Sequence, residues 1–439
     1  MGLPMGLLKP FDAPNDANPR SGEETKLRVV SQPENSDVYG SSGSRPVSDE
    51  KLGVYGSFDA LPESYERLFR EAGGKSFFFS RAWFENLAET TSRPNEKIHI
   101  AGLETAEHDA TPLACLILRS PAGQKGSIFA GRRFGGHSLA GLTSHPTTLF
   151  SPLISESVAD PNAVLSRLIN GIQSQSPSCS VFDLNRMDAQ SPLFFGLIQA
   201  LRAQGFCVRP YKYCDLPYET VSGISFERYF NKRAQRMRSD LRRRLRKLEK
   251  SHGVAFRIIS GTEGIDEAIE AFERVNAASW RQPEPFPDFD AGFLRAAAAE
   301  GVLRFGMLDV DGETVAVQIW IVNGGLATGT KLAFDERFKK DHVGALLMLH
   351  TIAHVIDQDR VDEIDFGLYA NDYKRRWLSQ QREIWGIAAF HPRTRAGLAA
   401  LLRYDAREAL ARILSIGRRG ERAAKLALAK LPRIKLRKR

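Results

Sequence analysis

Between Phe338 and Ala345 the chain reads Phe-Lys-Lys-Asp-His-Val-Gly-Ala, two lysines followed by a small-residue start to an apolar helix. The first turn of a helix leaves backbone N–H groups without partners, and the helix dipole adds partial positive charge there. Lys339, Lys340, His342, Val343, Gly344 and Ala345 are therefore a candidate cradle for a pyrophosphate. A plain helix start with solvated lysines is the equal alternative. Other phosphate and metal motifs fail on spacing. Gly73-Gly74-Lys75-Ser76 ends like a phosphate-binding loop, but Phe69 stands where its first glycine belongs. Asp365-Phe366-Gly367 has the form of the kinase metal triplet, with no H-R-D loop or A-P-E segment elsewhere. His350 and His354 are spaced like a zinc pair, yet Thr351 occupies the place of the glutamate and no third ligand accompanies them, so no metal is expected.

The elements that must hold these residues follow from pattern. A length of 439 residues allows several domains, and 42% hydrophobic with 26% charged residues fits a globular chain. No run of eighteen apolar residues occurs, so no membrane-spanning helix is expected. Cys115, Cys179, Cys207 and Cys214 form no C-x-x-C pair and suit buried thiols in a reducing cytoplasm. Residues 1–56 are rich in Pro, Gly, Ser, Asn and Asp and read as a disordered leader. Residues 57–220 then read as two helices, three strands, a glycine-rich loop over 131–141, a helix, a strand, a helix and a strand. Residues 221–392 open with a long basic helix from Ser225 to His252. Strands over 303–310, 314–322 and 326–334 follow, joined by the hairpin signals Asp311-Gly312 and Asn323-Gly324. An amphipathic helix over 344–357, a strand over 361–366, a helix over 373–379 and a strand over 383–390 complete the unit. The two units share an order of elements, with Val181-Phe182-Asp183-Leu184 in the place of Glu363-Ile364-Asp365-Phe366. The expected fold class is α/β with α+β layering, as two tandem domains that each have a mixed central sheet flanked by helices.

At this point the sequence resembles a family. Residues 225–390 are similar to the second half of CelD/BcsL-type acetyltransferases of the GNAT superfamily, relatives of the FemAB peptidyltransferases. The matching residues are Arg236-Met237-Arg238-Ser239-Asp240-Leu241-Arg242-Arg243, Ala278-Ser279-Trp280, His342-Val343-Gly344 with Leu346-Leu347, and Asp365-Phe366-Gly367 followed by Tyr373-Lys374 and Trp377. Residues 61–217, with Phe77-Phe78-Phe79 and Trp83-Phe84, resemble the degenerate first half. The resemblance implies a GNAT sheet whose fourth and fifth strands splay to admit acetyl-CoA or another acyl-CoA. Lys339 and His342 stand where the usual phosphate loop has Arg or Gln and a glycine. It also implies a sugar or glycan-precursor acceptor in bacterial cellulose or exopolysaccharide biosynthesis, with a FemAB-like aminoacyl-tRNA-dependent transferase or an inactive scaffold of a glycan synthase as alternatives.

Acyl transfer requires alignment, removal of the acceptor's proton and protonation of the leaving thiolate. Asp365 is the candidate base, or else it caps the following turn or pairs with Lys374. Tyr373 is the candidate acid because the superfamily often places a tyrosine there, and Lys374 is a candidate for stabilising developing charge. Trp280 and Arg281, before the proline-rich segment 282–287, are candidates to line a sugar site, with core packing of Trp280 the alternative. Arg238 stands for the basic helix as a contact to an anionic acceptor, against a solvated face with Leu241, Leu245 and Leu248 as its buried stripe. The first unit lacks counterparts of Gly367, Tyr373 and Lys374 and is read as structural.

Charge is concentrated at the end of the chain. Residues 394–439 hold fourteen Lys/Arg and three Asp/Glu, whereas the whole chain is only +9. Residues 393–439 read as a basic helical tail with Leu401, Leu402, Leu410, Ile413 and Leu414 at helical spacing. The expected partner is an anionic membrane or a polysaccharide synthase, met by a cytoplasmic enzyme at the inner face of the membrane. Nucleic acid ranks lower, because no aromatic residue follows Tyr404.

Overall fold

The computed structural model of the chain describes residues 50–410 except 95, 107–109, 122–126, 130–131, 135–136, 145 and 282–284. The expected leader before residue 50, the tail beyond residue 410, with Ile413 and Leu414, and part of the proline-rich segment lie outside the described residues.

The first half contains β1 (Glu50–Tyr55), α1 (Tyr65–Lys75), α2 (Arg81–Thr91), β2 (Glu96–Thr105), β3 (Pro112–Pro121), β4 (Ser127–Phe129), β5 (Arg132–Phe134), β6 (His137–Gly141), β7 (Leu153–Ile154), α3 (Pro161–Gln175), β8 (Cys179–Asp188), α4 (Pro192–Ala203) and β9 (Cys207–Thr220). The second half contains α5 (Phe226–Asn231), α6 (Gln235–Ser251), β10 (Val254–Ile259), α7 (Ile265–Ala277), α8 (Phe289–Ala299), β11 (Leu303–Val310), β12 (Glu313–Asn323), β13 (Leu326–Phe334), α9 (Val343–Asp357), β14 (Glu363–Asp365), α10 (Lys374–Trp377) and β15 (Gln380–Phe390). A last helix, α11, runs over 395–410.

Three departures from the sequence reading have physical causes. Residues 50–55, grouped with the leader on composition, form an edge strand on β2, with the Tyr55 hydroxyl donating to Glu104 at 2.6 Å. Within the expected glycine-rich loop lies β6, whose His-Ser-Leu-Ala-Gly lacks a periodic signal but pairs with β3 on one side and β8 on the other. The long basic helix is broken at 232–234, where Arg233 turns inward and is only 8% exposed.

One continuous mixed sheet runs in the order β1-β2-β3-β6-β8-β15-β9-β14-β13-β12-β11-β10, with β7 on β3 and a separate β4-β5 ribbon. The parallel pair β6·β8 in the first half mirrors the parallel pair β13·β14 in the second. Each half then gives its last strand to the other: β15 pairs with β8, and β9 pairs with β14. The exchanged strands pair with each other from Gln380↔Tyr218 to Phe390↔Cys207. The chain boundary near 220 is therefore not a packing boundary. The main core also crosses it, with Trp83 of α2 edge-on to Phe289 and Phe293 of α8 at 5.8 and 5.4 Å. A second core lies under α9, built from Leu346, Leu347, Ile352, Val355 and Ile356 against Val315, Trp320 and Ala327.

A buried polar network locks the exchange. Glu219 of β9 binds Arg233 at 2.7 and 3.3 Å and accepts from the Ser379 amide and hydroxyl at 2.7 and 2.6 Å. Arg233 also donates to the Trp377 carbonyl at 2.6 Å, where the Tyr229 hydroxyl joins it at 2.8 Å. Removing one member of a buried pair strands the other charge away from water, a loss of about 3 to 5 kcal/mol. Glu219→Ala is expected to lower the urea midpoint accordingly, in one transition monitored from tryptophans of both halves; an unchanged midpoint would contradict this role.

Candidate active site

The parallel pair β13·β14 is joined only at Leu326↔Glu363, Ala327↔Ile364 and Thr328↔Asp365. β14 stops at Asp365 while β13 continues to Phe334, so one edge of β13 is released over its last six residues, roughly 20 Å at the strand rise. A bulge accompanies the release: Ile319 pairs with Lys331 and Trp320 with Gly329, which leaves Thr330 as the extra residue. Its hydroxyl donates to the Ile319 carbonyl at 3.2 Å. The result is a wedge-shaped seam with its vertex at Thr328 and Asp365 and its mouth at Phe334.

The mouth gathers several residues picked out from sequence. Gly344 opens α9 so close to β13 that a Cβ there would lie 2.9 Å from the Phe334 ring. Trp280 packs on the other part of that ring at 4.4 Å, and Arg281 donates to the Leu332 carbonyl at 3.4 Å. Trp280 thus packs in part and remains half-exposed. Lys339 and Lys340 are exposed, with Lys339 held by Glu336 at 2.8 Å. His342 adopts a left-handed conformation, φ 61°, and its carbonyl accepts from the Ala345 and Leu346 amides at 2.9 and 3.1 Å. Among the described residues no hydrogen bond takes the amides of Val343 and Gly344, both of them buried residues. Burial and then the neighbouring Arg244 lower the His342 pKa, so its imidazole is neutral at pH 7 and adds no positive charge. The residue of the basic helix that reaches this turn is Arg244, which donates to the Lys340 carbonyl at 2.9 Å; Arg238 bonds Asn231 at 2.7 Å instead.

The vertex is organised around the turn after β14. Gly367 has φ 68°, a conformation that favours glycine, and its amide donates to Asp365 at 2.8 Å. The other Asp365 oxygen accepts from Thr328 at 3.2 Å. Lys374 donates to the Gly367 and Leu368 carbonyls at 3.2 and 2.6 Å. Burial raises Asp365 to about 6 and lowers Lys374 to about 8, the latter opposed by attraction to Asp365. Both are therefore ionised near pH 7. Tyr373 directs its ring toward Trp377, 6.5 Å away, and the core under α9, and burial raises its phenol pKa.

Sequence reasoning missed the contribution of the first half to this vertex. Tyr369, at φ 67°, donates to the Tyr213 hydroxyl at 3.0 Å. Arg186, itself at φ 64°, donates to Tyr213 at 3.4 Å and to the carbonyls of Ser144 and Thr147, the latter at 2.7 Å. The Thr148 methyl would lie 3.8 Å from a Cβ at Gly367. The contacts to Tyr369 and Gly367 span more than 150 residues of chain and carried no local signal. Only the position of Tyr213 on a candidate strand could have hinted at them.

The corresponding place in the first half is closed. At the start of α3, Pro161 has no N–H, the Asp160 carboxylate accepts from Asn162 and Ala163 at 3.0 and 3.1 Å, and its carbonyl accepts from Val164 at 3.2 Å. Asp183, opposite Ala140 as Asp365 is opposite Thr328, is buried, raised to about 7 by that burial, and accepts from Tyr211 at 2.9 Å. Of the two histidines spaced like a zinc pair, His350 lies flat on Phe256 at 4.5 Å and His354 faces Asp359 at 3.8 Å. Among the described residues no cluster of His, Cys, Asp and Glu could hold a metal ion.

Residues 235–375 match the family described as acetyltransferase (GNAT) domain, a span from the start of α6 to α10 that contains the whole seam. No curated protein matches the chain. Similar solved structures include FemX, at 10% identity and TM-score 0.49 over 74% of this chain and 96% of that one. L-PGS from Bacillus licheniformis gives 11% and 0.47 over 80% and 97%. A tandem GNAT protein from the clavulanic acid biosynthesis pathway gives 10% and 0.42 over 78% and 98%. Over residues 235–375 the second half of the chain is thus similar to acetyltransferase domains of the GNAT type.

Asp183 offers a test of the closed half that needs no substrate. A carboxyl whose folded pKa lies above its unfolded value of 3.8 favours the fold when neutral, and this contribution is lost as pH rises toward about 7. Asp183→Asn is expected to melt increasingly above the wild type between pH 5 and pH 8, the difference widening by roughly 3 to 6 °C. A difference that stays constant with pH would show that Asp183 does not titrate in this way.

Proposed function

We propose that the second half is an acyl-CoA-dependent N- or O-acyltransferase, with acetyl-CoA as donor and a sugar or amino sugar of bacterial cellulose or exopolysaccharide assembly as acceptor. The observation that carries the donor assignment is the contrast between two equivalent helix starts. At α3 every first-turn donor is absent or occupied, whereas at α9 two amides lack acceptors among the described residues beside two exposed lysines. The seam supports the same reading, since an extended arm laid along β13 from the α9 start would bring its end to the Asp365 turn.

The acceptor assignment is supported by the resemblance to CelD/BcsL-type enzymes and by the half-exposed Trp280 with Arg281 at the mouth, an aromatic face and a donor fork that suit a polyol. In the transfer, the acceptor nitrogen or oxygen bonds to the thioester carbon as the carbon–sulfur bond breaks. The acceptor's proton passes to solvent water, and the thiolate takes one from Tyr373, which regains it from solvent. Tyr373, protonated throughout the neutral range because burial raises its pKa, is assigned from the family resemblance the role of proton donor to the thiolate. That role requires its ring to turn from Trp377 toward the seam. Asp365 has both oxygens engaged by Gly367 and Thr328, so it and Lys374 are assigned to holding the turn that faces the reacting carbon.

Lys339 and Lys340 are exposed, so reversing their charge leaves the core untouched. In an assay of thiol release from acetyl-CoA with amino-sugar acceptors, Lys339→Glu/Lys340→Glu is expected to raise KM for acetyl-CoA about tenfold while kcat stays within about twofold. An unchanged KM would remove the phosphate assignment.

A further inference from the structure

The helix α11 presents two different faces. Ala400, Leu401 and Tyr404 are buried against Val181, Ala388 and Phe390, and Arg209 binds Asp405 at 2.9 and 3.0 Å, so the helix is fixed to the sheet. Leu398, Leu402 and Leu410 face outward, 43%, 60% and 56% exposed. At helical spacing Leu398, Leu402, Ala406, Ala409 and Leu410 form one outward arc, joined by exposed Arg395 and Arg403, with Asp405 at its margin paired to Arg209. Apolar residues of this size, set in a row on a fixed helix, mark a contact surface rather than scattered exposure.

The sequence that follows limits what can cover it. Residues 411–439 contain eleven Lys/Arg and a single acid, Glu421, interspersed with Ile413, Leu414, Ile416, Leu426, Leu428, Leu431, Ile434 and Leu436. Folding that segment back onto the arc would set its cations against Arg395 and Arg403. An anionic lipid surface neutralises both sets while accepting the leucines. We propose that the outward arc of α11 docks this protein on the surface of an anionic membrane, the occupant favoured by the cationic sequence that follows it. Leucines supply depth and arginines and lysines supply selectivity for charge, two weak signals that act together. The inference is independent of the acyl donor and of the acceptor.

Full-length protein is mixed with phosphatidylcholine vesicles with and without phosphatidylglycerol, at low and high salt, and sedimented. Binding is expected only with phosphatidylglycerol and is weakened by salt. Leu398→Gln/Leu402→Gln/Leu410→Gln keeps every charge and is expected to weaken binding about tenfold or more, with an unchanged melting temperature as the check that α11 remains docked. Removal of residues 411–439 is expected to abolish the salt-sensitive part. Equal binding of the triple variant and the wild type would overturn the docking surface. So would absence of binding to anionic vesicles, whether because the tail covers the leucines or because the protein binds added tRNA instead.

Discussion

The structure depends on an exchange of strands. β9 belongs by sequence to the first half and completes the sheet of the second, while β15 does the reverse, and the two pair along their length at the centre. Neither half closes its sheet alone, because β8 and β14 would each expose an edge of unpaired peptide groups. The cost of disrupting the centre is therefore shared by both. It also explains why Glu219, Arg233 and Ser379, distant in sequence, form one buried network at that junction.

Within this frame, two copies of one topology have diverged in what they do with the same opening. Each has a parallel strand pair with a helix between the two strands and a buried aspartate on the second. In the first copy Asp160 occupies the helix start and Tyr211 covers Asp183. In the second the released edge of β13, the amides at α9 and the Lys374-bound turn remain arranged around a seam. The first copy nevertheless contributes, because Arg186, Tyr213 and Thr148 buttress the turn that follows Asp365. Closure of the opening in one half and the use of that half as a support for the other are consistent outcomes of the exchange.

Much of this was legible in sequence where a local cause determines structure. The hairpin at Asp311-Gly312, the hairpin expected at Asn323-Gly324, which turns one residue later at Gly324-Gly325, and the amphipathic α9 follow from turn chemistry and periodicity. What escaped depends on tertiary partners. β6 is specified by its neighbours rather than by an alternating pattern, and the break before α6 arises because Arg233 has a buried carboxylate to meet. Of the candidate site residues, Trp280, Arg281 and the 339–345 turn converge at the mouth, whereas Arg238 lies off it and Arg244 takes that place. Sequence spacing identified the right helix but could not say which of its many arginines would face the turn.

The central claim is that the α9 start, and not the α3 start, is the donor site. Hydrogen–deuterium exchange of the full-length protein with and without acetyl-CoA tests it directly. The account predicts slowed exchange of the amides from Val343 to Leu347 and along the released edge of β13, with no change from Asn162 to Leu165. Protection at the α3 start, or none at the α9 start when acetyl-CoA is bound, would contradict it.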